Sequence, residues 1–300
     1  MKTIANQENI VVVGAGKVGS SIAGKLFEEG RLSRIIHRNP EAFESFYGIT
    51  ESYFTTSLDD IPEKPKLMIL AITENNLEEI DSKIADSEIW RDCIIAHTSG
   101  INDRYLLKAC RKECFRTAAV HPYQTFFSPN PLLLNDIAWG IDCDIQDFEF
   151  LADIIRILKG KPFLLDNTIP NFKGLYHSSA VVASNFTTLL LSLADEIAKS
   201  AGLDAKEFLK PIVYQTIDNF FNSELENIPL TGPIARADNT TLTHHIDSLE
   251  QFPLLKTPYI YSCMGAIETA AAMEILNDEN YERLISTLKF RLNKNDSFNR

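Results

Sequence analysis

Long apolar runs, paired cysteines and nucleophile motifs are all missing from this 300-residue chain. No stretch of about 18 uninterrupted apolar residues occurs, the length a membrane-spanning helix needs. The nearest candidate, residues 180–194, is broken by Ser184, Asn185, Thr187 and Thr188 and reads as a buried helix instead. Residues 1–9 are polar and offer no apolar core for a secretory signal, so a cytoplasmic protein is expected. The five cysteines, Cys93, Cys110, Cys114, Cys143 and Cys263, are odd in number, which fits free thiols in a reducing compartment. Cys110 and Cys114 would share a helix face; small buried hydrophobes are the reading preferred over a redox or metal pair.

Missing motifs exclude whole chemistries. There is no GxSxG elbow, no HExxH and no CxxC pair, which argues against the common serine-hydrolase and zinc-site patterns. The glycine-rich loop near the N-terminus lacks the following Lys-Ser/Thr of a P-loop. His244-His245-x-Asp247 is too sparse for a metal site, so none is expected. Positive charge is also scarce. Lys and Arg number 29 against 41 Asp and Glu, a net charge of −12. Nucleic acid and anionic membrane surfaces would be repelled. One small anionic ligand is still admissible, because residues 14–39 are locally basic at +3 while residues 51–100 sum to −7.

What is present is a well-patterned globular chain, 45% hydrophobic and 23% charged. The first half alternates short β-branched runs with helical periodicity. Strands are expected at 10–13, 33–37, 67–72, 93–97, 116–120, 138–142 and 163–165. Helices are expected at 17–29, from Pro40, from about Asn75, at 104–111 and at 148–158. The second half is helical throughout. One long helix is expected over 171–199 and another from Asp204, where Asp204 and Glu207 have capping-box spacing. A loop is expected over 228–243, and Thr257-Pro258 reads as the start of the final helices. The fold class is therefore α/β: a doubly wound Rossmann-type sheet over 1–168, followed by an all-α domain over 169–300.

The strongest motif is Gly14-Ala15-Gly16-Lys17-Val18-Gly19, placed between a β-branched strand and an amphipathic helix. In that context Gly14 permits the tight turn, Gly16 lets backbone approach a pyrophosphate, and Gly19 lets helix and strand pack closely. The helix N-terminus adds free N–H donors and partial positive charge, with Lys17 and Val18 in its first turn. At the end of the second strand stands His37-Arg38-Asn39, with no acid until Glu41. A ribose 2′-OH usually meets Asp or Glu there, whereas Arg38 suits a 2′-phosphate, so NADP is preferred to NAD. Ala71-Ile72-Thr73, after the 67–72 strand, should pass the nicotinamide-ribose side.

Two polar clusters follow later strands: His97-Thr98-Ser99-Gly100 and His121-Pro122-Tyr123-Gln124-Thr125-Phe126. Ligands of open α/β sheets bind beyond the carboxyl ends of strands. His121 is the first choice for acid–base work, with Ser99 orienting the imidazole or a substrate oxygen. His97 is placed beside the cofactor, and Gln124 beside the substrate. On the long helix, His177 and Asn185 fall roughly on one face and are candidates for substrate contact. Arg236, in the unusual segment 230–238, can clamp a substrate carboxylate or simply pair with Asp238.

Read in order, GAGKVGSSIA, AIT, HTSG, HPYQTF, YHSSAVVASNF and LTGPIARAD resemble a bacterial family of Rossmann-like oxidoreductases whose C-terminal half is a domain of unknown function. The resemblance implies an NADP-binding domain, a helical domain through which the chain dimerises, and no particular substrate. More distant similarity runs to the 6-phosphogluconate dehydrogenase-like proteins, including prephenate dehydrogenase and pyrroline-5-carboxylate reductase. Prephenate dehydrogenases imply the roles of catalytic His, orienting Ser and carboxylate-binding Arg for His121, Ser99 and Arg236. The residues after Pro122 depart from that family's small turn, which puts prephenate itself in doubt. The Lys–Asn pair of the β-hydroxyacid dehydrogenases is not matched, since the long helix has no Lys between Lys173 and Lys199. The sequence thus favours an NADP(H)-dependent oxidoreductase of a small polar metabolite. The alternative is a non-catalytic NADP sensor or regulatory protein.

Overall fold

The computed structural model describes residues 9–39, 48–61, 64–165, 168–223 and 229–296. The helix expected from Pro40 lies outside them. The chain divides into two compact units, Met1–Ser184 and Asn185–Arg300.

The first unit is built on eight strands. β1 (Ile10–Val13), β2 (Leu32–Ile36), β3 (Phe54–Thr55), β4 (Leu67–Leu70), β5 (Ile94–His97), β6 (Arg116–Pro122), β7 (Ala138–Asp142) and β8 (Lys161–Leu164) lie in the order β3-β2-β1-β4-β5-β6-β7-β8. Every pairing is parallel except β6 with β7. The short β3 carries no usable periodicity and escapes a sequence reading.

Alternation decides which face each side chain takes. Ile10 and Val12 point into the cluster that includes Ile22 and Leu26 of α1 (Lys17–Glu28) and Leu151 and Ile155 of α4 (Ile145–Ile157). Val11 and Val13 point the other way, toward Leu77 and Ile84 of α2 (Glu74–Ala85) and Cys110 of α3 (Lys108–Lys112). A sheet covered on both faces explains why its strands read as continuous apolar runs. Cys110 is fully buried, Cys114 is exposed, and all five cysteines are free thiols.

Strand order reverses between β1 and β4, which makes that crevice the topological switch point. The turn after β1 fits only because of two glycines. Gly14 has φ +105°, and a Cβ there would collide with the Ala71 carbonyl. A Cβ at Gly19 would run into the Gly14 carbonyl oxygen and come within 3.1 Å of Ala71 Cβ. Both obstacles at Gly14 and Gly19 include backbone, which cannot swing aside as a flexible side chain can.

A continuous helix follows the sheet: α5 (Phe172–Val181), a π-helical stretch Val182–Phe186 and α6 (Thr187–Ser200). The expected long helix is present, but with wider turns in the middle that a 3.6-residue period does not predict. It is not buried, contrary to expectation. By length and composition Phe172–Ser200 is apolar enough to cross a membrane, and none of its most apolar window is buried.

In the second unit, α6 packs with α7 (Ala205–Asn222) and α9 (Pro253–Ala272). Asp204 caps α7 as its spacing suggests, accepting the Lys206 N–H at 2.9 Å. α8 (Asn239–Ser248) begins inside the expected loop, with Asp238 capping Thr241 N–H at 3.0 Å. α9 starts at Pro253 rather than at Pro258, because Pro253 equally suits the first helical position; Pro258 lies inside the helix. α8, α9 and α10 (Asp278–Asp296) share a core of Leu242, Ile246, Ile260, Ile267, Leu284 and Leu288. α7 instead leaves Phe208, Ile212, Phe220 and Phe221 more than half exposed.

Gly19→Ala should lower stability by about 1–3 kcal/mol, the usual cost of overpacking a site that cannot relax. Urea denaturation checks this, and an unchanged midpoint would show that α1 can shift outward freely.

Candidate active site

Beyond the carboxyl ends of β1, β2 and β4 lies a cavity of about 850 Å³. Gly14, Gly16, Arg38, Ala71, Ile72 and Thr73 line it, which brings together six of the residues expected at the cofactor. Gly16 faces open space: a Cβ there would meet nothing within 4 Å. Backbone at that point can therefore be approached closely by a flat-on pyrophosphate, and the start of α1 lies next to it. Arg38 is exposed at the cavity and makes no ion pair within 4 Å among the described residues; nearby Glu79 is taken by Lys83 at 2.6 Å. These features fit a dinucleotide with a phosphate on its adenosine ribose.

The other expected cofactor residues act differently. Gly19 serves packing, as its motif position implies. Val18 turns its side chain to the hydrophobic core, leaving only its backbone for a phosphate. Lys17 holds its ammonium 5.6 Å from the Phe127 ring centroid.

His97 must be corrected. It is fully buried, its Nε2 is 2.9 Å from the Asp103 carbonyl and its Nδ1 accepts the Ser99 N–H at 3.2 Å. With both nitrogens bonded to backbone and no exposed surface, it shapes the β5 turn and offers no free ring atom to a cofactor in this structure. Burial also pushes its pKa down, so it is neutral at physiological pH.

Ser99 is engaged too. Its hydroxyl donates to Glu74 Oε1 at 3.0 Å and accepts from Asn102 Nδ2 at 3.0 Å, while Asn102 Nδ2 also donates to Glu74. This network ties the start of α2 to the turn after β5. Ser99 is not within hydrogen-bonding contact of His121, so it does not orient that imidazole in this structure.

His121 stands at the sheet's working edge. Register pairs His97 with Ala119, so His121 lies two residues beyond the end of β5. Its Nδ1 is 3.0 Å from the Tyr176 hydroxyl on α5. The His177 ring lies 6.0 Å from it, centroid to centroid, and the Tyr123 ring 6.1 Å. Tyr123 in turn shares a 2.6 Å hydrogen bond with Ser179, whose hydroxyl donates to the Tyr176 carbonyl at 2.7 Å. Gly100 makes this crowding possible: a Cβ there would fall 2.6 Å from His177 Nδ1 and 2.8 Å from His121 Nε2. Tyr176, Tyr123 and Ser179 escape a sequence reading that seeks histidines and short motifs. The hydroxyls at 176 and 179, three apart on a helix, are the one local signal.

Burial first, then the charges of Lys173 and His177, lowers the His121 pKa to about 4. Burial pushes the Tyr176 phenol up, so it keeps its proton. A neutral imidazole beside a protonated phenol has two useful tautomers. With the phenol donating to Nδ1, Nε2–H is a donor for a substrate oxygen or nitrogen. With Nδ1–H donating to the phenol, the Nε2 lone pair can accept a proton.

Gln124 is exposed and accepts its own loop's Thr125 N–H at 2.8 Å, so its amide oxygen is occupied. Asn185 and Arg236 belong to the second unit, and both are exposed. Arg236 makes no ion pair with Asp238; Asp238 spends its carboxylate on Thr241.

Comparison with known proteins gives two family matches. Residues 9–99 match the family described as NADP oxidoreductase coenzyme F420-dependent, and residues 137–266 match a domain of unknown function, DUF2520. No curated protein matches the sequence. Among solved structures, a provisionally assigned NADP oxidoreductase from Bacteroides fragilis is 23% identical with a TM-score of 0.72, covering 86% of this chain and 97% of its own. An imine reductase from Myxococcus stipitatus, in complex with NADP+, is 11% identical with a TM-score of 0.63, covering 92% and 99%. The pyrroline carboxylate reductase of Plasmodium falciparum, with NADP bound, is 12% identical with a TM-score of 0.58, covering 93% and 98%. The likeness establishes the fold: a Rossmann-type domain followed by a helical one.

The low His121 pKa has a stability consequence. Below the ordinary value of 6.5 the unfolded chain takes up a proton that the folded chain refuses until about pH 4. Stability from this group is therefore present above pH 6.5 and lost as pH falls through 4. His121→Asn should lose on the order of 2–3 kcal/mol less than wild type between pH 7 and 4. Urea titrations across that range measure it; equal losses would show that His121 is not held neutral.

Proposed function

We propose that this protein is an NADP(H)-dependent oxidoreductase that moves a hydride to or from a small polar metabolite bearing a carboxylate, working in the cytoplasm as a homodimer. The observation that carries the reading is the continuity of the sheet's carboxyl edge. Ala71–Thr73 after β4 line the cavity, the Glu74–Ser99–Asn102 network follows after β5, and the His121–Tyr176 pair follows after β6. Parallel neighbours are about 4.8 Å apart, so the whole series spans roughly 10 Å, the scale of a nicotinamide and a small substrate.

Gly14, Gly16 and the start of α1 would hold the pyrophosphate, and Arg38 the 2′-phosphate. Bound there, NADP(H) supplies or accepts the hydride. The protein handles the proton. In oxidation, the neutral Nε2 of His121 takes the proton of an alcohol or amine, and Tyr176 holds the ring through Nδ1. In reduction, the Nε2–H tautomer donates a hydrogen bond to the carbonyl oxygen or imine nitrogen. The Glu74 carboxylate fixes the Ser99 hydroxyl at the turn after β5.

The dimer reading rests on exposed apolar surface. Leu189 on α6 and Ile212, Phe220 and Phe221 on α7 stand 58–78% exposed, and Tyr214 64%. Large apolar side chains left open in such number are what a partner surface would cover.

NADPH should bind with micromolar affinity in a fluorescence titration, and no binding at millimolar cofactor would refute the nucleotide assignment. Arg38→Asp should shift preference toward NADH by about tenfold or more, the value of one charge-assisted contact. NADPH binding without turnover on any substrate of a panel, and unchanged by His121→Ala, would favour the sensor reading. Light scattering should give twice the 33.8 kDa chain mass, reduced by Ile212→Glu with Phe220→Glu; a wild-type monomer would contradict the dimer.

A further inference from the structure

The direction of one hydrogen bond decides what His121 offers a substrate. Burial, with the charges of Lys173 and His177, keeps the ring neutral, so it carries one proton. The Tyr176 hydroxyl and His121 Nδ1 lie 3.0 Å apart, and either can be the donor. Each choice leaves Nε2 in a different state: protonated when the phenol donates, bare when the phenol accepts. His121 Nε2 bonds to none of the described residues and is not among the polar atoms sealed from solvent. It is therefore the ring atom that a substrate can meet. His177 Nδ1 faces the same gap over Gly100, but it has no hydrogen-bond partner and so does not fix the His121 ring.

The seat of the phenol decides the direction. Tyr176 Oη rests against Gly140 of β7, the residue paired with His121 across the sheet. A Cβ at Gly140 would fall 2.6 Å from that oxygen and 2.9 Å from Leu165 Cδ1. The hydroxyl thus fills space that a side chain at 140 would take, with an apolar neighbour beside it. Ser179 offers it no acceptor. Its hydroxyl gives its own proton to the Tyr176 carbonyl at 2.7 Å and therefore accepts that of Tyr123 at 2.6 Å. The backbone of Gly140 acts on Tyr176 Oη as a donor: burial and then Tyr123 raise the phenol pKa, whereas Gly140 lowers it, which an acceptor would not do. Among the described residues, His121 Nδ1 is then the one acceptor within hydrogen-bonding reach of the Tyr176 proton. Were Nδ1 itself protonated, that phenol proton would go unmet, which is costly away from water. The imidazole lone pair, basic enough to be protonated near pH 6.5, is also a better acceptor than a neutral phenol oxygen.

We propose that Tyr176 is a positioning residue that fixes His121 as its Nε2–H tautomer, so that the site meets its substrate with a hydrogen-bond donor. The chemical class this selects is an acceptor, a carbonyl oxygen or imine nitrogen, in preference to an ammonium group, which can only donate. Naming that acceptor as the reducible partner of a hydride transfer rests on the oxidoreductase reading; the tautomer does not. Both residues lie in the same compact unit, so the arrangement needs nothing from the other.

The test uses the full-length protein with ¹⁵N-labelled histidine and long-range ¹H–¹⁵N correlation spectra at neutral pH. The His121 signals are those missing from His121→Asn. Wild type should show one tautomer, with Nε2 protonated and Nδ1 bare. Tyr176→Phe removes the hydroxyl and keeps the ring, and it should no longer hold the Nε2–H form alone: the Nδ1 and Nε2 shifts should move toward each other as the tautomers mix. A wild-type ring protonated at Nδ1, or already mixed, overturns the proposal, as does an unchanged pattern in Tyr176→Phe. Should Tyr176→Phe fail to fold, the wild-type Nδ1 shift decides. A bare Nδ1 displaced upfield by an accepted hydrogen bond supports the proposal, and an undisplaced one overturns it. NADPH titration of the same samples separates the two readings. The Nε2–H tautomer without NADPH binding sinks the oxidoreductase reading and leaves the tautomer standing; NADPH binding with Nδ1 protonated does the reverse.

Discussion

Everything at the working edge depends on one close contact, where the turn after β1 packs against the end of β4. Gly14 carries a backbone conformation that side chains avoid, and its carbonyl sits where a Cβ of Gly19 would have to be. Because neither residue has a side chain, α1 can begin directly over the switch point and present its N-terminus there. Adjacent Ala71 and Ile72 form the other wall of the same crevice. A helix held even slightly farther out would widen this crevice and take the α1 N–H donors away from it.

The same economy of side chains recurs at the chemical centre. Gly100 leaves room for two imidazoles that a methyl group would push apart. What the crowding achieves is electrostatic: a buried His121 kept neutral beside Lys173 and His177 and fixed by a phenol that keeps its proton.

Much of this was legible in sequence wherever the signal is local. Ile10–Val13, the glycine turn and α1 are a strand, a φ requirement and a period, all contained in about twenty residues. The double-faced sheet follows from apolar runs such as 67–70 and 94–96. Contacts across long separations were not legible. Tyr176 meets His121 from 55 positions away. His97 shows the converse. Its type and strand-end position suggest chemistry, but the Asp103 carbonyl and the Ser99 N–H take both its ring nitrogens. Residues 180–194 read as buried because their composition is apolar, yet composition does not say whether the cover comes from the same chain.

The central claim is that the nucleotide crevice and the His121–Tyr176 pair form one reaction site. A crystal structure of the protein grown with NADP+ tests it most directly. The account predicts the pyrophosphate over Gly14–Gly19, the 2′-phosphate at Arg38 and the nicotinamide ring turned toward His121. A nucleotide bound elsewhere, or a nicotinamide directed away from His121, would contradict it.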